Sequence, residues 1–211
     1  MYIPASFKEE NIESLHSLMQ AYNFATLITS EHGTPFASHL PFMLDPTRGD
    51  YGTLITHMAR ANPQWQHFTT ATEVLVIFQG PHTYISPAWY TSEFSVPTWN
   101  YAVVHAYGRP RLIEEQAEIQ RVLDNLVNQH EAPRAQPWTF NWSDRHINLT
   151  KVIVAFEIEI TRLEGKLKLS QNRSIDDQVQ VINGLHNSPS TADQAVAELM
   201  VAVRQAEKLD E

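Results

Sequence analysis

Short β-rich runs follow one another along this chain with connections too short to carry a crossover, and that spacing most constrains the fold. Phe24 to Ser30 (FATLITS) is β-rich, Glu31-His32-Gly33-Thr34-Pro35 supplies a turn, and Phe36 to Leu44 reads as the partner strand of a hairpin. Asp45-Pro46 and Arg48-Gly49-Asp50 mark the next loop, and Gly52 to His57 reads as a third strand. Val74 to Phe78 is an uninterrupted apolar run, and two more β stretches lie around 82–86 and 98–113. Parallel strands need a crossover of about a dozen residues or more. The runs therefore predict an antiparallel sheet, closed or split into a barrel.

Val152, Val154, Phe156, Ile158 and Ile160 alternate cleanly, which predicts a long half-buried strand over 152–169 with Glu157 and Glu159 on its wet face. Helical spacing appears over 11–22, 114–130, 175–186 and 192–208, and Asn62-Pro63 opens a short helix carrying Trp65 and Phe68. Ser174 to Asp177 and Thr191 to Gln194 fit capping boxes for the last two helices. Residues 132–141, with two prolines, read as a loop. The expected class is mainly β (α+β): a barrel over 1–173 with peripheral helices, and C-terminal helices over 174–211 packed on the barrel or on a dimer.

Composition removes several function classes. The 211 residues include no cysteine, so disulfides, thiolate metal sites and a Cys nucleophile are excluded. No apolar run is long enough to span a bilayer as a helix, and Met1 to Lys8 lacks the pattern of a cleaved signal, so no membrane association and a cytoplasmic location are expected. Fifteen Lys and Arg against 24 Asp and Glu give a formal charge of −9, which argues against strong unaided DNA binding. Arg162, Lys166, Lys168 and Arg173 form the one local basic strip available for it, and the helices at 175–186 and 192–208 offer only Arg204 and Lys208 on the second. The ten histidines include no H-E-x-x-H, so no metal site is expected, and the G-x-S-x-G, P-loop and G-x-G-x-x-G signatures are absent.

Three places carry chemistry. Thr56-His57-Met58-Ala59-Arg60-Ala61-Asn62-Pro63 runs from a strand end into a helix start, where free N–H groups and a guanidinium suit a phosphate; a capped helix with a surface arginine fits the same residues. Lys168-Leu169-Ser170-Gln171-Asn172-Arg173 packs cations and hydrogen-bonding side chains after a strand, suiting a phosphate or a flat heterocycle, or a solvated loop before a helix cap. Gly80-Pro81-His82-Thr83-Tyr84-Ile85-Ser86-Pro87-Ala88-Trp89-Tyr90 and Val96-Pro97-Thr98-Trp99-Asn100-Tyr101 gather aromatics that can wall a flat ring or form a dimer interface. His39 sits in an apolar strand, as a satisfied core residue or a ligand contact.

These strings together resemble the PaiB-like family of FMN-binding negative transcriptional regulators, and the resemblance runs from Met1-Tyr2-Ile3-Pro4 to the helix after Arg173. It implies an antiparallel FMN-binding split β-barrel that forms a homodimer, with flavin sites between subunits. By that resemblance Arg60 and Asn62 meet the FMN phosphate, the Thr56–Met58 backbone (Thr56, His57 and Met58) meets the flavin edge, and Lys168, Gln171 and Arg173 clamp the phosphate or the pyrimidine ring. Trp99 and Asn100 are implied at the isoalloxazine, and His39 against it. The implied function is a flavin-dependent regulator acting on DNA or through a partner. The alternatives are an FMN-dependent oxidoreductase using a nicotinamide cofactor or small substrate, with His82 or His105 as proton donor, and a flavin-free binding module.

Overall fold

The computed structural model describes residues 1–69, 73–91 and 95–207; Lys208 lies outside them. In chain order its elements are β1 (Lys8–Glu9), α1 (Ile12–Ala21), β2 (Phe24–Glu31), β3 (Thr34–Pro41), β4 (Met43–Asp45), β5 (Thr53–Ala59), β6 (Val74–Ile85), β7 (Thr98–Ile113), α2 (Gln116–Glu131), α3 (Asp144–Leu149), β8 (Ile153–Lys168), α4 (Ile175–His186) and α5 (Thr191–Glu207). The strands form one antiparallel sheet in the order β3-β2-β6-β7-β8-β5-β4, with β1 also on β8. Two compact units divide the chain: Met1–Asn11 with Gln79–Val104 and Glu164–Glu211, and Ile12–Phe78 with His105–Leu163. The long strands β6, β7 and β8 contribute to both.

In the larger unit, β2 and β3 make the expected hairpin, in register from Phe24↔Pro41 to Glu31↔Thr34. Its two-residue turn places His32 at φ 50° and Gly33 at φ 81°, the left-handed pair whose twist matches that of the flanking strands. The second strand ends before Leu44, because Phe42 turns into the core and its N–H bonds to Asn23 O at 2.8 Å, separating β3 from β4.

Period-two alternation sorts β5 and β8 into two faces. Leu54, Thr56, Met58, Val154, Phe156 and Ile158 are buried on one face; Ile55 and Ala155 are buried on the other, where α2 covers them with Val122 and Leu126. Glu157, expected on a wet face, lies on this covered side and is only 8% exposed. Arg48 and Arg111 compensate it, each reaching its carboxylate at 2.8–2.9 Å. The alternation was legible, but it does not reveal that a helix covers the second face. Glu159 is exposed, as expected.

In the smaller unit, β1 pairs with the end of β8 through Lys8↔Lys166. Ser174 caps α4 by accepting from Asp177 N at 3.2 Å. The second cap is Ser190 rather than Thr191: Ser190 Oγ accepts from Asp193 N at 3.4 Å, and Thr191 is already helical. Asp177 holds α4 to the β6–β7 connection by accepting from the Thr91 N–H and hydroxyl, both at 2.7 Å. Gly184 of α4 faces Trp89 so closely that a Cβ would sit 2.6 Å from the indole. Among the described residues no helix is long and apolar enough to cross a membrane, and no group of His, Asp and Glu is placed to hold a metal ion.

Candidate functional site

The predicted residues fall into two sets, one in each unit. In the larger unit, β5 carries Thr56, His57 and Met58. Thr56 is fully buried and donates its hydroxyl to Pro41 O at 2.6 Å, and Met58 is core. The His57 ring points the opposite way, into a cavity of about 250 Å³ beneath α2 lined also by Leu123, Leu126 and Trp138. Burial holds its pKa below the ordinary value, and its Nδ1 is buried without a hydrogen-bond partner. What this strand can offer a flavin edge is therefore backbone.

Arg60 follows β5 and ties it to the start of β8. Its Nε donates to Lys151 O and its Nη2 to Ile153 O, both at 2.8 Å, using two of the five guanidinium N–H donors. Asn62 accepts from Gln64 N at 3.0 Å and donates to Ser38 Oγ at 2.8 Å, which brings the segment to β3. His39, next along β3, is exposed and pairs with Thr26 Oγ1 across the hairpin at 3.0 Å, so it is not a core residue. The helix that opens at Pro63 is a 3-10 helix of seven residues, too short to present the dipole of a full α-helix.

The smaller unit concentrates charge. At the end of β8 the chain turns through Ser170 at φ 69°. Gln171 fixes that turn, its Oε1 accepting from Leu169 N at 2.7 Å and its Nε2 donating to Leu167 O at 2.6 Å. Asn100, fully buried on β7, donates to Ser170 Oγ at 3.0 Å. Both amides thus shape the turn, while Lys166, Lys168 and Arg173 carry the charge. Lys168 Nζ donates to Thr98 Oγ1 and to Trp99 O, both at 2.6 Å. Lys166 is buried, donates to Tyr2 O at 3.2 Å, and lies 5.6 Å and 5.3 Å from the rings of Tyr2 and Tyr101. Arg173 stands over Tyr90 at 4.6 Å. Burial first, then the charges of Lys166 and Arg173, push the Lys168 pKa below its ordinary value.

A cation whose charge is disfavoured by burial and by neighbouring cations is one that an anion relieves. Beside them Trp99, 53% exposed, lines a groove of about 330 Å³ with His82, Tyr101, Gln79, Ala102 and Val103. Converging cations suit the phosphate of FMN, and an aromatic-walled groove suits its flat ring, so the donor set fits the cofactor. Lys166 escaped the flavin prediction although its spacing of two from Lys168 on a strand puts both on one face. Tyr2 carried no signal of its own.

The family described as "Putative FMN-binding domain" matches residues 1–162. This chain belongs to that family. It is 38% identical to protease synthase and sporulation protein PAI 2 of Bacillus subtilis (strain 168), over 95% of this chain and 96% of that one, which makes the family member PaiB-like. An uncharacterized protein of Emericella nidulans is 32% identical, again over 95% of this chain and 96% of its own. Among solved structures, the FAD and heme binding protein from Mycobacterium smegmatis superposes with a TM-score of 0.62 at 17% identity, covering 82% of this chain and 78% of that one. The flavocytochrome Anf3 from Azotobacter vinelandii superposes with a TM-score of 0.56 at 15% identity, covering 76% and 69%. At such identities the likeness shows the fold, the antiparallel split β-barrel of mainly β (α+β) class. The PaiB-like family member is an FMN-binding protein, and FMN is its cofactor.

Proposed function

We propose that this chain works as an FMN-loaded homodimer in negative transcriptional control, with Lys168 and Arg173 holding the flavin phosphate, Lys166 backing them, and Trp99 facing the isoalloxazine. The observation that carries this reading is the convergence of three cations beside an exposed aromatic groove in the smaller unit. Asn100 and Gln171 hold the turn from which Lys168 and Arg173 project. In the larger unit, Arg60, Asn62, His39 and the Thr56–Met58 backbone are the proposed flavin contacts, Arg60 with the donors its two carbonyl bonds leave over. When bound, FMN supplies a ring that accepts and returns electrons.

The homodimer is supported by exposed apolar groups, Trp99, Tyr84 and Val96, in the aromatic segment of the smaller unit. Control through a protein partner is favoured over direct reading of DNA. The chain carries a charge of −9, and among the described residues of α5 Arg204 is the only Lys or Arg, with its Nη1 already turned back to Ile175 O and Gln178 Oε1 of α4, whereas a recognition helix presents several donors to base edges. A second reading, an FMN-dependent oxidoreductase using a nicotinamide cofactor, is favoured by His82, which lines the same groove with its ring centroid 6.4 Å from that of Trp99.

The test is an absorption spectrum after FMN loading and desalting, for the parent, Arg60→Ala and Lys168→Ala, followed by sedimentation, gel shift at low salt and mixing with NADH or NADPH. Flavin retained by the parent and lost by Lys168→Ala, in a dimer that neither shifts DNA nor is reduced, is the expected result. A specific DNA shift overturns the partner route. Rapid flavin reduction moves the assignment to the oxidoreductase. Retention unchanged in Lys168→Ala removes the proposed phosphate site.

A further inference from the structure

The connection between α2 and α3, in the larger unit, presents a row of aromatic rings that the flavin reading leaves unused. Trp138 meets Phe140 edge-on at 4.7 Å, and Phe140 stacks on Trp142 at 4.5 Å with planes 20° apart. Trp142 Nε1 donates to both carboxylate oxygens of Asp124, at 3.0 Å and 3.2 Å, and Trp138 N donates to Glu131 Oε2 at 3.0 Å. Two α2 carboxylates thus hold the segment along the helix. Trp138 still leaves 53% of its surface exposed.

Between these rings and α2 lies a cavity of about 300 Å³ lined by Asp124, Asn125, Asn128, Thr139, Trp138 and Phe140 beside Val127. Asp124 and Asn128 are four apart on α2, and Asn125 and Asn128 three apart, so all three side chains share one helix face. Among the described residues no side-chain hydrogen bond engages Asn125, Asn128 or Thr139. The wall therefore combines an aromatic face, two carboxamides and a hydroxyl that can each donate and accept, and one carboxylate already shared with an indole.

We propose that this cavity binds a neutral polyhydroxylated molecule, of the size and chemistry of a monosaccharide. A sugar ring carries an apolar C–H face that lies against an aromatic ring, and hydroxyls that donate and accept at once. Carboxamides match such hydroxyls because they too carry both functions. The lining holds no Lys or Arg, and Asp124 repels anions, which separates this site from the phosphate-binding cations of the smaller unit. Its volume stands at the lower end of ligand pockets, roughly 300 to 1,000 Å³, which suits a single sugar ring.

The FMN-loaded full chain is titrated with D-glucose and with D-ribose while the indole N–H signals are followed by NMR, in the parent and in the double variant Asn125→Ala/Asn128→Ala. Both asparagines are exposed on a helix, where alanine favours the helical backbone, so the variant keeps its fold and its FMN retention. The expected result is a saturable shift of the Trp138 signal by at least one sugar, weakened about tenfold or more in the double variant. A Trp138→Phe variant keeps an aromatic face and is expected to bind with reduced affinity, its response then read on Trp142. No saturable shift up to about 100 mM sugar, enough to fill a site of millimolar affinity, overturns the proposal. So does saturation by n-butylamine but not by the sugars, which would mark a cation site. Indole shifts that follow protein concentration without ligand would instead mark a contact between copies, and likewise overturn it.

Discussion

Lys168 Nζ donates to the main-chain carbonyl of Trp99 at 2.6 Å, so the cation proposed for the flavin phosphate is fixed to the residue proposed for the flavin ring. An ammonium has three donors. Two are spent on Thr98 and Trp99, and the third is left for an anion.

Lys168→Met is accordingly expected to weaken FMN binding by some ten- to a hundredfold, the effect of losing one charge-assisted hydrogen bond of about 1.5–3 kcal/mol. Lys168→Arg keeps the charge, but its planar fork cannot reproduce the bonds to both Thr98 Oγ1 and Trp99 O, so it is expected to recover only part of the affinity. Titration of FMN fluorescence quenching measures both. A dissociation constant unmoved in Lys168→Met would take the phosphate away from this residue.

The depressed pKa of Lys168, caused by burial and then by Lys166 and Arg173, gives a sign for the pH response. The folded apo chain releases this proton before the unfolded chain does. Its contribution to apo stability therefore grows as pH rises from the lowered folded pKa toward 10.5. FMN needs the charged ammonium, so flavin affinity falls across the same window. The thermal shift produced by FMN is expected to shrink with rising alkalinity in the parent and to be small and flat in Lys168→Met. Melting curves with and without FMN check this, and an FMN shift that held constant into strong alkali would contradict it.

Much of this arrangement could be read from residues alone, and the part that could not has a physical reason. The hairpin at His32-Gly33, the strand over Val154 to Ile160 and the Ser174 cap each depend on neighbours in sequence, which periodicity and turn chemistry report. Glu157 was misplaced because its burial depends on α2 and two distant arginines. Gln171 and Asn100 stand out in the sequence only as polar residues of the proposed flavin site. That their amides fold back onto Leu167, Leu169 and Ser170 is a matter of tertiary geometry. The Ser190 cap was missed by one residue, since Ser190 and Thr191 offer the same chemistry.

Glu157 is predicted to matter for stability in acid. Burial alone would raise its pKa, but hydrogen bonds from Arg111 and Arg48 and their charges outweigh that and leave it below 4.5. Its stabilising contribution is present above the unfolded value and is lost as pH falls through the lowered folded pKa. Glu157→Gln is expected to cost about 1–2 kcal/mol at neutral pH, kept modest because both arginines reach solvent. The variant should also lose less than the parent on acidification. Urea unfolding at neutral and acid pH measures the difference, and equal acid sensitivity in both proteins would refute the assignment.

His57 responds to acid in the same direction for a different reason. Burial lowers its pKa below 6.5, so the unfolded chain takes up this proton first and stability falls as pH drops through that value. His57→Leu removes a buried nitrogen without a partner. It is expected to be neutral or stabilising by up to about 1 kcal/mol at neutral pH, with a flatter acid limb. Melting temperatures across the acid range decide it, and a large loss at neutral pH would show that the imidazole holds a bond in solution.

Gly184→Ala sets two opposing effects against each other. In a helix interior alanine is favoured over glycine by roughly 0.8–1 kcal/mol. At this position its Cβ would lie 2.6–2.8 Å from three atoms of the Trp89 indole, well inside contact distance. Trp89 belongs to the turn at Pro87–Trp89, whose chain is held to α4 through Thr91 and Asp177, so the ring has to change rotamer or that turn has to shift. Overpacking of this kind costs about 1–3 kcal/mol, and the net effect is expected to be destabilising. Trp89→Leu is expected to reverse the sign, making Gly184→Ala stabilising in that background because the obstructing ring is gone. A double-mutant cycle by chemical denaturation measures the coupling, and additive effects of the two substitutions would show that the helix and the indole do not press on each other.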